Sequence, residues 1–150
     1  MANNYCQWSE SIEELTEEEM DWLHSCFSWE PPEGAFDDEK FEWPAWYDRD
    51  AESVHFEYDL DRKRGILHVY AEEYGNIDTL SALIHEFIQK FRPDFIFSMS
   101  WADTCSKMRI GEFGGGAMVI SREGEKWINT DDFINNTVNA IKAGRGDVEE

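Results

Sequence analysis

The sequence predicts a single α+β domain, in which an antiparallel sheet of five or six strands carries two helices on one face. Several short stretches alternate apolar and polar residues, which is the period of a half-buried strand, whereas residues 77–91 repeat apolar residues at helical spacing. Short turns separate neighbouring strand stretches, and this favours antiparallel pairing because parallel strands need long crossovers. The chain has 150 residues and 41% hydrophobic content, which is enough for one core.

We expect three regions within this domain. Residues 1–62 form an acidic N-terminal part, with one helix and an aromatic-rich loop at the edge of the sheet. Residues 63–144 form the sheet and the two helices of the core, and residues 145–150 form a flexible tail.

The first two predicted elements are a strand and a helix. Loose alternation from Asn4 to Ile12 predicts the strand. Thr16 and Glu19 then match the capping box, in which each side chain bonds a backbone N–H that the first helical turn leaves unpaired. Apolar residues at helical spacing predict a buried stripe: Met20, Leu23 and Phe27. This stripe turns three acidic residues toward solvent: Glu17, Glu18 and Asp21.

Residues 28–51 show no clean period. Three prolines and Gly34 interrupt any regular element there. The stretch nevertheless holds six large rings, too many for a purely solvated loop: Trp29, Phe36, Phe41, Trp43, Trp46 and Tyr47. We expect some rings to pack on the domain. We assign three others as partner anchors, because exposed Trp and Tyr are frequent interface anchors: Trp43, Trp46 and Tyr47.

The stretch from Ser53 to Leu60 alternates most clearly and predicts a strand, paired through a turn with a second strand from Gly65 to Glu73. Its apolar face comprises Val54, Phe56, Tyr58 and Leu60. Its outer face carries a row of acids: Glu57, Asp59 and Asp61. This row resembles a calcium loop, but Lys63 and Arg64 stand where the EF-hand template needs oxygen ligands. We therefore predict no metal site.

A helix from Ile77 to Phe91 is predicted next, with Asn76 as its cap and Pro93 just beyond its end. Its apolar stripe is wide enough to cover a sheet face: Ile77, Leu80, Leu83, Ile84, Phe87, Ile88 and Phe91. His85 lies beside this stripe and is interpreted as a packed or surface residue.

The last third predicts a strand, a loop, a hairpin and a helix. Four apolar residues alternate in the strand: Phe95, Phe97, Met99 and Trp101. The hairpin joins Ala117–Ser121 to Glu125–Ile128 through a turn at Glu123 and Gly124. Thr130 is the predicted cap of a helix that runs through Lys142 and stops at Gly144.

The segment from Trp101 to Ser121 carries a distinctive string: a Trp-x-x-Thr-Cys-Ser run, an arginine and a Gly-Glu-Phe-Gly-Gly-Gly run. Its members are Trp101, Thr104, Cys105, Ser106, Arg109, Gly111, Glu112, Phe113, Gly114, Gly115 and Gly116. This string resembles one in a widespread family of small uncharacterised proteins from phages, plasmids and bacterial genomes, and the likeness covers roughly residues 65–133. The resemblance implies no established activity. It implies a context, because genes of mobile elements often antagonise host defences.

Two interpretations of this segment stand side by side. Cys105, Arg109 and Glu112 are candidate catalytic or ligand-binding residues. However, the span from Cys105 to Arg109 is too short for the phosphate loop of Cys-dependent phosphatases, and the glycines lack the ending of a P-loop. The other interpretation is a structural loop, whose glycines permit positive φ and a close backbone crossing.

Charge is the most informative property of the chain. Residues 1–62 hold nineteen Asp and Glu against three basic residues, a net charge of -16 within the total of -20. If this charge of -16 is spread over half of the roughly 7,900 Å² of accessible surface expected for this mass, its density is about one net charge per 250 Å². Duplex DNA, as a cylinder about 20 Å across, carries about one per 110 Å². The acidity also has a simpler interpretation, because acidic surfaces favour solubility.

These observations favour an inhibitor that binds a basic, nucleic-acid-binding host defence protein through a DNA-mimicking acidic surface. The partner would be a CRISPR effector or a restriction nuclease subunit, by analogy with anti-CRISPR and anti-restriction proteins. The predicted partner-binding residues are Glu17, Glu18, Asp21, Asp37, Asp38, Glu39, Glu42, Trp43, Trp46, Tyr47, Asp48, Asp50, Glu52, Glu57 and Asp59. One alternative is a small enzyme or ligand-binding protein that uses Cys105, Arg109 and Glu112. Another is an acidic adaptor or assembly protein.

Other classes of function are disfavoured. We expect no direct binding of nucleic acid, because no basic patch with interleaved aromatic residues occurs in the sequence. No apolar run reaches the ~18 residues of a membrane span, and the first ten residues do not read as a signal peptide. Three widely spaced cysteines fit reduced thiols in the cytoplasm, and no cofactor is predicted. The sequence does not indicate an oligomeric state.

Overall fold

A computed structural model describes residues 3–49 and 56–145 of the chain. Their regular elements are β1 (Asn4–Ile12), α1 (Glu17–Phe27), a 3₁₀ turn (Ala35–Asp37), β2 (Glu57–Asp61), β3 (Ile66–Ala71), α2 (Ile77–Phe91), β4 (Phe97–Cys105), β5 (Gly114–Ser121), β6 (Gly124–Asn129) and α3 (Thr130–Gly144). The strands form one six-stranded sheet in the order β2-β3-β1-β4-β5-β6, and each neighbouring pair is antiparallel. The predicted α+β class is confirmed.

The core lies on one face of the sheet, where the alternation of the strands places their apolar residues. Ile12 of β1 pairs with Leu67 of β3, and Met99 of β4 pairs with Met118 of β5. Helix α2 lies over these side chains and buries its apolar stripe completely at Leu80, Leu83, Ile84, Phe87 and Ile88. The predicted bounds of α2 and its Asn76 cap are both observed, with the Asn76 side chain accepting a hydrogen bond from the Thr79 N–H.

Helix α1 also belongs to this core, and here the structure differs from the expected position at an edge. Its predicted capping box is present, since Thr16 and Glu19 exchange both hydrogen bonds. Met20 and Leu23 are buried in the same cluster as the apolar residues of α2, and the Trp22 ring packs against Phe87 and Phe91. The two helices that share the core are therefore α1 and α2, whereas all fifteen residues of α3 are exposed.

Two predicted boundaries and one predicted side-chain placement differ from the structure. Strand β2 starts at Glu57, and residues 53–55 of the predicted strand lie outside the described part of the chain. Tyr58 was expected to face the core but is 42% exposed, with its ring stacked on Phe27 at the margin of the cluster. The cap of α3 is Asn129 rather than Thr130, since the Thr130 hydroxyl instead accepts a hydrogen bond from the Gly115 N–H.

The glycine run from Gly114 to Gly116 lies within strand β5 rather than in a loop. Of the described residues in the predicted loop, Gly111 has positive φ, whereas the run itself is extended backbone. The close approach that was expected at these glycines is observed. A Cβ on Gly116 would overlap the Trp101 ring and lie 2.5 Å from the Ile128 carbonyl oxygen. Glycine therefore makes room for the Trp101 side chain between β4 and β6.

Gly116→Ala should lower the free energy of unfolding by roughly 1–3 kcal/mol, the usual cost of overpacking. Urea unfolding followed by circular dichroism measures it. Gly144→Ala is the matched control, because nothing lies within 4 Å of its Cβ position at the exposed end of α3. An equal effect of both substitutions would contradict the close packing at Gly116.

Candidate partner-binding surface

Helix α1 presents acidic residues because its apolar stripe is buried. Glu17, Glu18 and Asp21 are all exposed, as the sequence predicts. Arg62, at the start of the β2–β3 turn, reaches back to two of them, with its Nη1 3.4 Å from Glu17 and 2.9 Å from Asp21. These ion pairs are exposed at the surface, so part of the helix charge is compensated only weakly.

The loop between α1 and β2 presents the second group of acids. Asp37, Asp38, Glu39 and Glu42 are exposed, and the Asp38 carboxylate accepts a hydrogen bond from the Lys40 backbone N–H. The loop is held by its own rings rather than by regular structure. The Trp29 ring contacts the rings of four loop residues: Phe41, Trp43, Trp46 and Tyr47. This aromatic cluster fixes the backbone that carries the acids.

The acids of β2 face a different direction. Tyr58 and Leu60 pair with core-facing Val69 and Leu67, so Glu57 and Asp59 project from the opposite face of the sheet. Both carboxylates are exposed. The structure therefore brings the acids of α1 and of the loop to the helical side of the domain, and it leaves those of β2 on the outer sheet face.

Few basic residues oppose this charge. Within residues 3–49 and 56–62, seventeen Asp and Glu face three basic residues. Arg62 is paired with α1, and the Arg49 guanidinium lies 4.7 Å from the centre of the Trp43 ring. The third, Lys40, is exposed beside the loop acids. The described part of this region thus keeps a net charge of -14.

Two of the predicted anchors are corrected. Trp46 and Tyr47 are 5% and 8% exposed, and they form a second buried cluster with Cys26 and Leu83. Their ring surfaces are used inside the domain, so the prediction that they contact a partner is not supported. Trp43 is half-buried and keeps part of its ring at the surface.

Of three other predicted acids, the structure describes one. Asp48 accepts a hydrogen bond of 3.0 Å from the Asn76 side chain, and it thereby ties the loop to the start of α2. Asp50 and Glu52 lie outside the described residues.

A groove of about 970 Å³ runs between α1, the loop, α2 and the β5–β6 turn. Aromatic rings and carboxylates line it together, among them Trp22, Trp29, Trp43, Trp46, Glu42, Glu86 and Glu125. The Glu125 carboxylate accepts a hydrogen bond from the Ser81 hydroxyl. Sequence reasoning missed Trp22, Glu86 and Glu125, because three separate elements bring them together. The one available signal was that Glu86 lies beside the buried stripe of α2. Aromatic rings beside carboxylates are suited to an organic cation.

The residues of the alternative site lie at the end of β4 and in the turn that follows it. Glu112 lines a small cavity of about 270 Å³ with Asp103 and Asp131, but neither Cys105 nor Arg109 lines it. Cys105 ends β4, and Arg109 is exposed in the turn that follows. Of the three predicted residues, Glu112 lines this cavity, and its backbone N–H donates a hydrogen bond to the Arg109 carbonyl oxygen within the turn.

The other two cysteines are poor nucleophiles. Burial raises the pKa of the Cys26 thiol to about 12, with a further contribution from the charge of Glu86. Burial and the neighbouring Asp103 carboxylate raise the pKa of Cys6 to about 11. Both thiols are protonated at neutral pH, and the thiolate is the reactive form.

Among the described residues, no group of His, Cys, Asp and Glu is placed to hold a metal ion. No helix in that part of the chain is both long and apolar enough to cross a membrane. No family model, curated protein or solved structure matches the chain.

Proposed function

We propose that this chain is an inhibitory binding protein whose acidic surface captures a basic protein in the place of nucleic acid. The observation that supports this most directly is the excess negative charge on the helical side of the domain. Seven exposed carboxylates of α1 and the loop share that side: Glu17, Glu18, Asp21, Asp37, Asp38, Glu39 and Glu42.

Carboxylates can take the place of phosphates because both offer negative oxygen acceptors to Arg and Lys. Residues 63–150 carry only -4 of the total charge, so the field is directed toward one part of the molecule. Such a field accelerates encounter with a basic surface, and its effect falls as salt concentration rises. The aromatic cluster supports this role because it keeps the loop acids in fixed positions, which lowers the entropic cost of binding.

The groove gives the partner a place to insert a basic side chain. A guanidinium entering the groove would meet aromatic side chains, among them Trp22 and Trp43, and the carboxylates of Glu42 and Glu86. Arg49 over Trp43 provides an example within the chain of a guanidinium held on one of these rings. A desolvated cation on a Trp ring is worth ~2 kcal/mol. The groove would thus contribute shape complementarity to partner binding, and the acids would contribute charge complementarity.

We propose a CRISPR effector or a restriction nuclease subunit as the partner. Both classes hold nucleic acid in positively charged channels, which suit a surface of this charge. The resemblance of residues 65–133 to proteins of phages and plasmids supports the same context, since such elements encounter these defences.

Competition with nucleic acid tests this function. The chain is immobilised and incubated with lysate from bacteria that carry active CRISPR and restriction systems, and bound proteins are then eluted with duplex DNA. We expect the duplex to release the partner, because both occupy the same channel. Elution with an equal mass of neutral dextran is the control. A specifically bound partner that resists excess duplex would contradict the proposal.

A further inference from the structure

Helix α3 exposes an apolar face along its whole length. The exposed fractions of its apolar side chains are 57% for Phe133, 54% for Ile134, 42% for Val138 and 49% for Ile141. Successive residues are 100° apart around a helix, so Ile134, Val138 and Ile141 form one stripe. At the base of the helix, an apolar cavity of about 670 Å³ opens between Phe133, Ile134, Trp101 and Ile128.

A helix of this kind needs a partner surface. Isolated helices of about 12–15 residues are marginal in water, and most helical stability in proteins comes from packing an apolar face. The N-terminal end of α3 is attached to the sheet by the bond from the Gly115 N–H to the Thr130 hydroxyl. The helix also lies near β5 and β6, yet all fifteen of its residues are exposed to solvent within one copy.

We infer that the apolar face of α3 pairs with α3 of a second copy of this chain, in an antiparallel arrangement about a two-fold axis. This interface lies apart from the acidic surface, so the inference does not depend on the proposed function. Each dimer would display two acidic surfaces.

The charge of the surrounding region permits a second copy at this face. Residues 114–145 hold four acidic and four basic residues, a net charge of zero. By contrast, residues 1–62 carry -16, and two copies meeting through them would repel each other. Self-association is thus electrostatically possible at the end of the molecule where the apolar residues are exposed.

The charges along α3 select the antiparallel orientation. Asp131 and Lys142 are eleven residues apart, so they lie within about 20° of each other around the helix and flank the same side of the stripe. In an antiparallel pair about a two-fold axis, that side faces the same side of the other helix. With Ile134 opposite Ile141, Asp131 of each copy lies within two residues of Lys142 of the other, about 3 Å along the axis. In a parallel pair, Asp131 and Lys142 would stay about 16 Å apart along the helix axes, so these opposite charges would not meet.

A stable dimer needs a minimum contact area from each copy. A standard-size interface needs about 800 Å² from each partner. The helix alone is about 22 Å long, and exposed Ile128 lines the same apolar cavity as Phe133 and Ile134.

Sedimentation equilibrium of the purified full chain tests the dimer. Wild type should show twice the 17.6 kDa mass of one chain. The double variant Ile134→Glu with Ile141→Glu should show the mass of one chain. The control is Asn136→Glu with Ala143→Glu, which adds equal charge on the opposite side of α3 and should remain dimeric. A monomeric wild type, or a dimer unaffected by the isoleucine substitutions, would overturn the inference. Circular dichroism reports folding of each variant independently.

Charge exchange tests the orientation. Asp131→Lys alone and Lys142→Glu alone should each weaken the homodimer, because like charges then meet at both ends. An equimolar mixture of the two variants should form a heterodimer in which opposite charges meet at both ends. Native mass spectrometry distinguishes the three species. A mixture with no preference for the heterodimer would overturn the antiparallel arrangement.

Discussion

Reversal of Asp37, Asp38, Glu39 and Glu42 to lysine should abolish capture of the basic partner while the domain remains folded. All four side chains are exposed in a loop whose backbone is fixed by its rings, so the substitutions leave the core untouched. Exposed charge pairs contribute up to ~1 kcal/mol each. Four reversals should therefore cost roughly 4 kcal/mol, or close to a thousandfold in Kd. Pull-down followed by quantitative binding to the recovered partner measures the loss.

A second set of four charge reversals distinguishes the effect of charge position from the effect of total charge. Glu72, Glu73, Asp94 and Glu123 are exposed and lie outside the acidic N-terminal part. Their reversal to lysine changes the net charge by the same amount. We expect this variant to keep most of the binding. Equal weakening by the two sets would show that net charge alone governs capture, and it would contradict a partner-specific surface.

Replacement of Arg92 by leucine should give the largest loss of stability. The Arg92 guanidinium donates two hydrogen bonds to the Glu19 carboxylate, at 2.8 and 3.0 Å, and two more to the Glu13 and Glu14 carbonyl oxygens. Glu19 is 5% exposed. Removal of Arg92 leaves a buried carboxylate without its cation, which costs roughly 3–5 kcal/mol. The midpoint and slope of urea unfolding give the measured value.

Arg122→Leu is the matched control for Arg92→Leu. Arg122 forms ion pairs of similar length, 3.1 Å to Asp94 and 2.7 Å to Glu123, but it lies at the surface. Its replacement should cost far less, because exposed ion pairs are screened by solvent. Equal losses for the two variants would contradict burial as the source of the Arg92 effect.

The pH dependence of stability gives a second readout of the same pair. Burial alone would raise the pKa of the Glu19 carboxyl, but hydrogen bonds from Arg92 and the Thr16 N–H, with the Arg92 charge, hold it below its usual 4.5. The unfolded chain therefore takes up this proton at a higher pH than the folded chain does. The stabilisation is present above pH 4.5 and is lost as the pH falls through the lower folded value. In Arg92→Leu this acid-dependent loss should disappear.

Local signals made several elements predictable. The bounds of β1 and α2 are observed as predicted, because alternation and a side-chain cap define them within a few residues. The surface position of Glu17, Glu18 and Asp21 follows from the same logic, since a buried stripe leaves the other side of the helix exposed.

What could not be predicted depends on contacts between distant residues. Amphipathic spacing shows that a helix has an apolar face but not which surface receives it, so α3 rather than α1 was expected to contribute buried residues to the core with α2. A glycine run has the composition of a loop, but Gly116 serves the Trp101 ring of the neighbouring strand. Composition likewise does not tell Trp43, which stays partly exposed, from buried Trp46.

Capture of a partner at two salt concentrations tests the central claim most directly. The wild-type chain is immobilised and incubated with lysate from bacteria that carry active CRISPR and restriction systems. The retained proteins are identified by mass spectrometry after washes at low and at high salt. We expect a basic nuclease or surveillance subunit that is retained at low salt and lost at high salt. Recovery of no such protein, or only of partners that resist high salt, would contradict capture through the acidic surface.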